Sequence, residues 1–192
     1  MTDTPSSPTV APVDYRRRRL VMAATAGLAV VAALVLWLAV KGDDSKTTAN
    51  AGRPPRIVTT AELKDIAKSL GAPLYWAGPL KGSRIEYTAA ENGRYFVRYL
   101  TGSAAAGDPR RAFVTIGTYP QADAYKTVSS ASKVPTATSA RTQSGALVVT
   151  DKRRPSSVYF SFPGAKFQVE VYAPSPSRAR RLVLDGTVRR VI

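Results

Sequence analysis

The chain has 192 residues and a formal charge of +15, from 28 Lys and Arg against 13 Asp and Glu. It contains neither Cys nor His, so disulfides, thiolate metal sites, the common zinc sites, the Ser-His-Asp triad and the Cys-His dyad are all excluded. No side chain has an unperturbed pKa near neutrality, and catalytic, cofactor and metal sites are not expected.

The first residues, 1–19, combine a Pro, Ser and Thr-rich stretch with Arg16, Arg17, Arg18 and Arg19. Without a periodic apolar pattern this segment reads as a short disordered tail. Residues 20–40 form an apolar run of 21 residues without a charge. At ~1.5 Å rise per residue such a helix spans a hydrocarbon core of ~30 Å. Four arginines stand before the run, while Lys41 is followed by Asp43 and Asp44. The positive-inside rule therefore predicts a cytoplasmic N-terminus and an extracytoplasmic remainder. The run is too long for the core of a cleaved signal peptide, and the Ala-x-Ala triplet at 49–51 lies too far beyond it.

Residues 41–56 are polar, with Gly and adjacent prolines, and read as a flexible linker. A folded domain is expected over 57–192, the size of one ordinary domain. Thr59-Thr60-Ala61-Glu62 has capping-box spacing. Leu63, Ile66, Ala67 and Leu70 then fall at i, i+3, i+4 and i+7, and Gly71 is expected to end the helix as its left-handed residue. Leu74 to Trp76 reads as a short strand. Ile85 and Tyr87 alternate before Glu91-Asn92-Gly93, where Asn-Gly marks a hairpin. Tyr95, Val97 and Tyr99 alternate in the returning strand as a core-facing set.

The stretch 101–111 is a long loop rich in Gly and Ala that ends in Asp108-Pro109-Arg110-Arg111. Loops of this length are functional or disordered. A strand over 113–118 leads to a helix over 121–133 with Ala124, Tyr125, Val128 and Ala131 on one side. A strand over 146–150 and a hairpin over 158–172, turning at Pro163-Gly164, follow. Ser175 and Pro176 open a last helix carrying Ala179, Leu182 and Val183, with Gly186 at its end and a terminal strand behind it. The order of hairpin, aromatic residue, proline and helix recurs, which points to two pseudo-repeats. Hairpins with helices between groups of strands predict an α+β domain, an antiparallel sheet with helices packed on one face, preceded by a single transmembrane helix.

Counting from Lys41 onward gives 24 basic and 11 acidic residues, so the domain side alone carries +13. Such a surface attracts polyanions and anionic lipid heads, although Arg outnumbers Lys 19 to 9, as base composition alone produces. Arg178, Arg180, Arg181, Arg189 and Arg190 form the densest basic region outside the tail and are the candidate anion-binding residues. The expected function is a membrane-tethered, non-enzymatic module that engages an anionic envelope polymer, an anionic lipid or a membrane protein. One alternative is an accessory subunit of a membrane protein complex. Another is a hydrolase acting on envelope polymers through paired carboxylates. Glu86 and Glu170 stand at polar strand positions, where a solvated face is expected. The many Tyr residues interleaved with Arg suit sugar binding or base stacking, but the core-like alternation favours core packing and the extracytoplasmic location argues against nucleic acid.

Overall fold

The computed structural model describes residues 52–191. The tail at 1–19, the span at 20–40 and most of the linker lie outside them. Among the described residues no helix is long and apolar enough to cross a membrane.

Ten strands and three α-helices follow in the order β1 (Arg53–Val58), α1 (Thr60–Ser69), β2 (Tyr75–Trp76), β3 (Ser83–Ala89), β4 (Tyr95–Thr101), β5 (Val114–Pro120), α2 (Ala124–Ala131), β6 (Ala137–Arg141), β7 (Leu147–Asp151), β8 (Ser157–Ser161), β9 (Phe167–Tyr172), α3 (Pro176–Leu184) and β10 (Arg189–Arg190). Eight strands make one sheet in the order β1-β3-β4-β5-β9-β8-β7-β6, and β10 pairs with β2 in a small second ribbon. All neighbours are antiparallel. The architecture is α+β. Read from either edge inward, the sheet is an edge strand followed by a three-strand meander, and the halves meet where β5 pairs β9.

Local chemistry accounts for most boundaries. The Thr59 side chain accepts from the Glu62 amide and the Glu62 carboxylate accepts from the Thr59 amide at 2.7 Å, a complete capping box. Leu70, in extended conformation, caps the other end. Gly71 does not take the left-handed conformation expected of it; the chain has already left the helix at the extended Leu70, and Pro73 disfavours its resumption at Ala72. Asn92 and Gly93 both adopt positive φ, 66° and 69°, in the three-residue turn Glu91–Gly93 that joins β3 to β4. Ser175 accepts from the Arg178 amide with Pro176 in the first turn of α3, and Gly186, at φ 69°, follows its cap.

Strand alternation sorts the sheet into two faces. On the first, Ile85, Tyr87, Tyr95, Val97, Tyr99, Ile116, Val148, Val158, Phe160, Val169 and Val171 are buried in one core with Leu63 and Ile66 of α1 and Ala179, Leu182 and Val183 of α3. Tyr75 and Trp76 of β2 and Val188 and Val191, which flank β10, join that core. The second face carries the alternate residues, from Glu86 and Arg98 across Gly117 and Glu170 to Leu147 and Val149. Helix α2 packs on β7, β8 and β9, and its Tyr125 hydroxyl accepts from Arg141, whose strand position shares the Leu147 face. The helices therefore occupy both faces rather than one. Leu147 and Val149 give the second face an apolar patch at the β7 end, which α2 covers with Ala124, Val128 and Ala131.

Two strands were not expected. β1 begins at Arg53, so the domain starts four residues before the boundary placed at Ile57. Its Arg53-Pro54-Pro55-Arg56 stretch is exposed and pairs with β3 across a register irregularity between Arg53 and Arg56. Proline is tolerated there because β1 is an edge strand. β6 forms the opposite edge.

Candidate anion-binding site

Arg178, Arg180 and Arg181 lie on the exposed side of α3, whose other side buries Ala179, Leu182 and Val183. Arg189 and Arg190 are exposed on β10. Among the described residues none of the five is in an ion pair. They stand on α3 and beside it on β10, elements that cover the first, apolar face.

A cleft lies on the second face instead, and its wall is the long loop between β4 and β5. That loop is built on a buried ion pair. Glu86 is fully buried, contrary to the solvated position expected of it, and accepts from Arg98 Nη1 at 2.8 Å and from the Gly107 amide at 2.6 Å. Arg98 Nη2 donates to the Asp108 carbonyl at 2.7 Å, and Arg84 Nη2 donates to the Ala104 and Gly102 carbonyls at 2.6 and 3.1 Å. Leu100, Ala104 and Phe113 form a small apolar cluster beneath the loop. The Phe113 ring has the guanidinium carbons of Arg98 and Arg110 at 5.4 and 5.6 Å from its centroid, within cation–π range. The loop is thus an ordered wall whose backbone carbonyls are held by two strand arginines.

The cleft encloses about 200 Å³. Arg98, Pro109, Arg110 and Arg111 line it on the loop side, and Thr115, Gly117 and Tyr119 of β5 with Glu170 and Tyr172 of β9 form its floor. Register explains the floor: Thr115 pairs with Tyr172 and Gly117 with Glu170, while on the other flank Ser157 pairs with Tyr172 and Tyr159 with Glu170. Gly117 is required because a Cβ there would stand 2.8 Å from the Tyr119 ring. The ring lies across that bare backbone and meets Phe96 edge-on at 5.7 Å.

Glu170 is held from both sides. The Tyr119 hydroxyl donates to its Oε2 at 2.8 Å and the Tyr159 hydroxyl to its Oε1 at 3.2 Å. Burial, reinforced by the Glu170 carboxylate, pushes both phenols well above the usual tyrosine range, so they remain donors. Tyr172 donates to the Arg111 carbonyl at 2.8 Å, and the Arg111 guanidinium lies over its ring at 5.3 Å. Arg110 is clamped by the Asp108 carboxylate, with Nη2 to Oδ2 at 2.6 Å. Hydrogen bonds from the Arg110 side chain and amide hold Asp108 down to about 2.

Chemically, the cleft offers one carboxylate with unfilled acceptor sites, two aromatic rings and guanidinium charge along one wall. Glu170 is the only carboxylate among its lining residues, so the floor does not present the carboxylate pair that glycosidic hydrolysis employs. Among the described residues no group of three or more His, Cys, Asp or Glu is arranged to hold a metal ion. Tyr119, Tyr172 and Arg98 belong to the Tyr-and-Arg pattern that suits sugars or bases and Glu170 to the carboxylates, but the sequence marks none of them, nor Arg111, as a site. Their period of two shows which of them share a face, but the pairing of β5 with β9, fifty residues apart, is not written locally. No protein-family model matches the chain, and neither the curated proteins nor the solved structures include one significantly similar to it.

Proposed function

We propose that the chain is a single-pass membrane protein, with its helix at 20–40 and its N-terminus in the cytoplasm, whose extracytoplasmic domain is a non-enzymatic binding module for an anionic component of the cell envelope. One observation carries this reading. Between residues 52 and 191 there are 22 Lys and Arg against 9 Asp and Glu, and only four ion pairs form among the described residues. Two of those four, Asp108 with Arg110 and Asp151 with Arg153, are closed between residues two apart. Most of the positive charge is left facing solvent, where it attracts anions over a Debye length of ~8 Å at physiological salt. The tether confines that charge to a layer next to the membrane.

The test is co-sedimentation of residues 43–192 with neutral and anionic lipid vesicles and with anionic envelope polymers, across a salt series. Binding to the anionic partners, falling steeply as salt passes physiological ionic strength, is expected. Replacing Arg178, Arg181, Arg189 and Arg190 by Gln should weaken it more than four changes spread elsewhere, because clustered charges set the local potential. Equal binding to neutral and anionic partners, or none at low salt, would remove the reading. A reporter active only outside the cytoplasm, fused after Ile192, tests the orientation.

A further inference from the structure

Among the described residues the four-residue pattern Asp-x-Arg-Arg occurs twice, at 108–111 and at 151–154, and both copies fold the same way. In each the aspartate Oδ1 accepts from the amide two residues on, at 2.9 Å in both, and the carboxylate grips that residue's guanidinium: Arg110 in one turn, Arg153 in the other. The first arginine is thereby neutralised. The second, Arg111 or Arg154, is exposed and outside any ion pair among the described residues.

The topology brings the two turns to the same end of the sheet. The first turn enters β5 and the second enters β8, and these strands flank β9, with Thr115 and Ser157 both paired to Tyr172. Two strand spacings separate them, roughly 10 Å. Arg111 lies over the Tyr172 ring. Arg154 is close enough to the Tyr159 hydroxyl for its charge to oppose the effect of burial on that phenol. The floor of the cleft, with Glu170, adjoins the first turn, and Arg154 stands outside its lining, on the β8 flank.

A purely electrostatic anion trap would not carry a carboxylate there. Glu170 has about four lone-pair sites, two of which take Tyr119 and Tyr159; the others need donors and repel negative charge. A ligand that fits both features has hydroxyl groups to give to Glu170 and acidic groups set apart from them to meet Arg111 and Arg154. Resting on the reading of the domain as an anion binder, we propose that this cleft is a binding site for an acidic polysaccharide, with Glu170 receiving sugar hydroxyls and the second arginines of the twin turns receiving two acidic groups of the chain. Bare polyphosphate satisfies the arginines and is repelled at the floor.

The experiment uses the full chain in neutral detergent micelles and measures binding of two probes by calorimetry: an oligosaccharide of alternating uronic acid and N-acetylhexosamine, and a linear polyphosphate of equal charge. The oligosaccharide should bind about ten-fold tighter or better at physiological salt. Combining Arg111→Gln and Arg154→Gln should weaken it by roughly ten-fold or more, as loss of charge-assisted contacts does. Glu170→Gln should act in opposite directions, weakening the oligosaccharide several-fold and strengthening polyphosphate. A polyphosphate that binds as tightly as the oligosaccharide to the unmodified chain, or a Glu170→Gln change that strengthens both, overturns the glycan assignment while leaving a general anion binder. An oligosaccharide that does not bind, where anionic vesicles do, overturns the cleft and not the proposed function. Should Glu170→Gln fail to fold, the comparison of probes on the unmodified chain still decides the matter.

Discussion

Arg98→Met tests whether the buried ion pair is what builds the cleft wall. Glu86 is fully buried and the Arg98 side chain is 17% exposed, so the substitution strands a carboxylate with one remaining partner, the Gly107 amide. Breaking a buried pair from one side costs about 3–5 kcal/mol, because the other charge stays behind uncompensated. At roughly 3–4 °C per kcal/mol for a domain of this size, the melting temperature should fall by roughly 9–20 °C. Combining it with Glu86→Gln removes the stranded charge, and the amide oxygen of Gln can still accept from Gly107. The double variant should therefore regain much of the loss, a non-additivity that isolates the pair. Thermal unfolding of residues 52–192, followed by the fluorescence of Trp76, which is buried and the sole tryptophan of that stretch, supplies the readout. Limited trypsin digestion supplies the local one, with faster cleavage after Arg110 and Arg111 expected in the single variant, since Arg98 also holds the Asp108 carbonyl. A loss below about 1 kcal/mol, with unchanged cleavage, would mean that Glu86 is effectively solvated and that the wall stands without it.

Three further outcomes follow from the same geometry. Gly117→Ala should cost about 1–3 kcal/mol through overpacking against the Tyr119 ring, and adding Tyr119→Ala should make the pair less damaging than the sum, as measured by denaturant unfolding. Starting the domain at Ile57 instead of Gly52 removes most of β1 and its ladder to β3; the melting temperature should drop, by about 1–2 kcal/mol of stability for the few exposed bonds lost. Burial pushes the Tyr87 phenol up to about 12 and raises Tyr99, Tyr119 and Tyr159 as well. These groups stabilise the fold below the ordinary tyrosine pKa, about 10, and that contribution is lost as pH rises through their folded values. An ultraviolet titration of the domain should show part of the tyrosine signal missing near pH ~11 and recovered in denaturant; full ionisation of the native domain there would refute it.

Much of the fold could be read from local chemistry. The capping box at Thr59 and Glu62, the Asn92-Gly93 turn and the Ser175-Pro176 cap each draw on residues within four positions of one another, and each stands where it was expected. Gly71 misled because the chain turns extended one residue earlier, at Leu70, and needs no left-handed residue there. Arg53 to Arg56 looked like a spacer because its strand character comes from pairing with β3 thirty residues on, not from its composition. The burial of Glu86 was illegible for a similar reason: alternation puts it on the polar face, and only the distant loop folding over that face takes it out of water. The twin Asp-x-Arg-Arg turns meet on either side of β9 through strand order, which no local pattern records.

Among the described residues the eight-stranded sheet has two unpaired rims, β1 and β6, each a template on which a second copy of the chain could add a strand. The rim formed by β1 is blunted, since Pro54 and Pro55 bring no amide hydrogens and the register irregularity disrupts the ladder beside them. The rim formed by β6 has no such device: Ala137, Thr138, Ser139 and Ala140 are small, uncharged and free of proline. On the proposed membrane-tethered reading, molecules concentrated on a surface collide far more often than the same molecules in solution, so strand addition would be a hazard at the β6 rim and not at the other. Arg141, the one charge on that strand, is the gatekeeper there, and clumping of the domain should track changes at Arg141 rather than changes at Arg53 or Arg56.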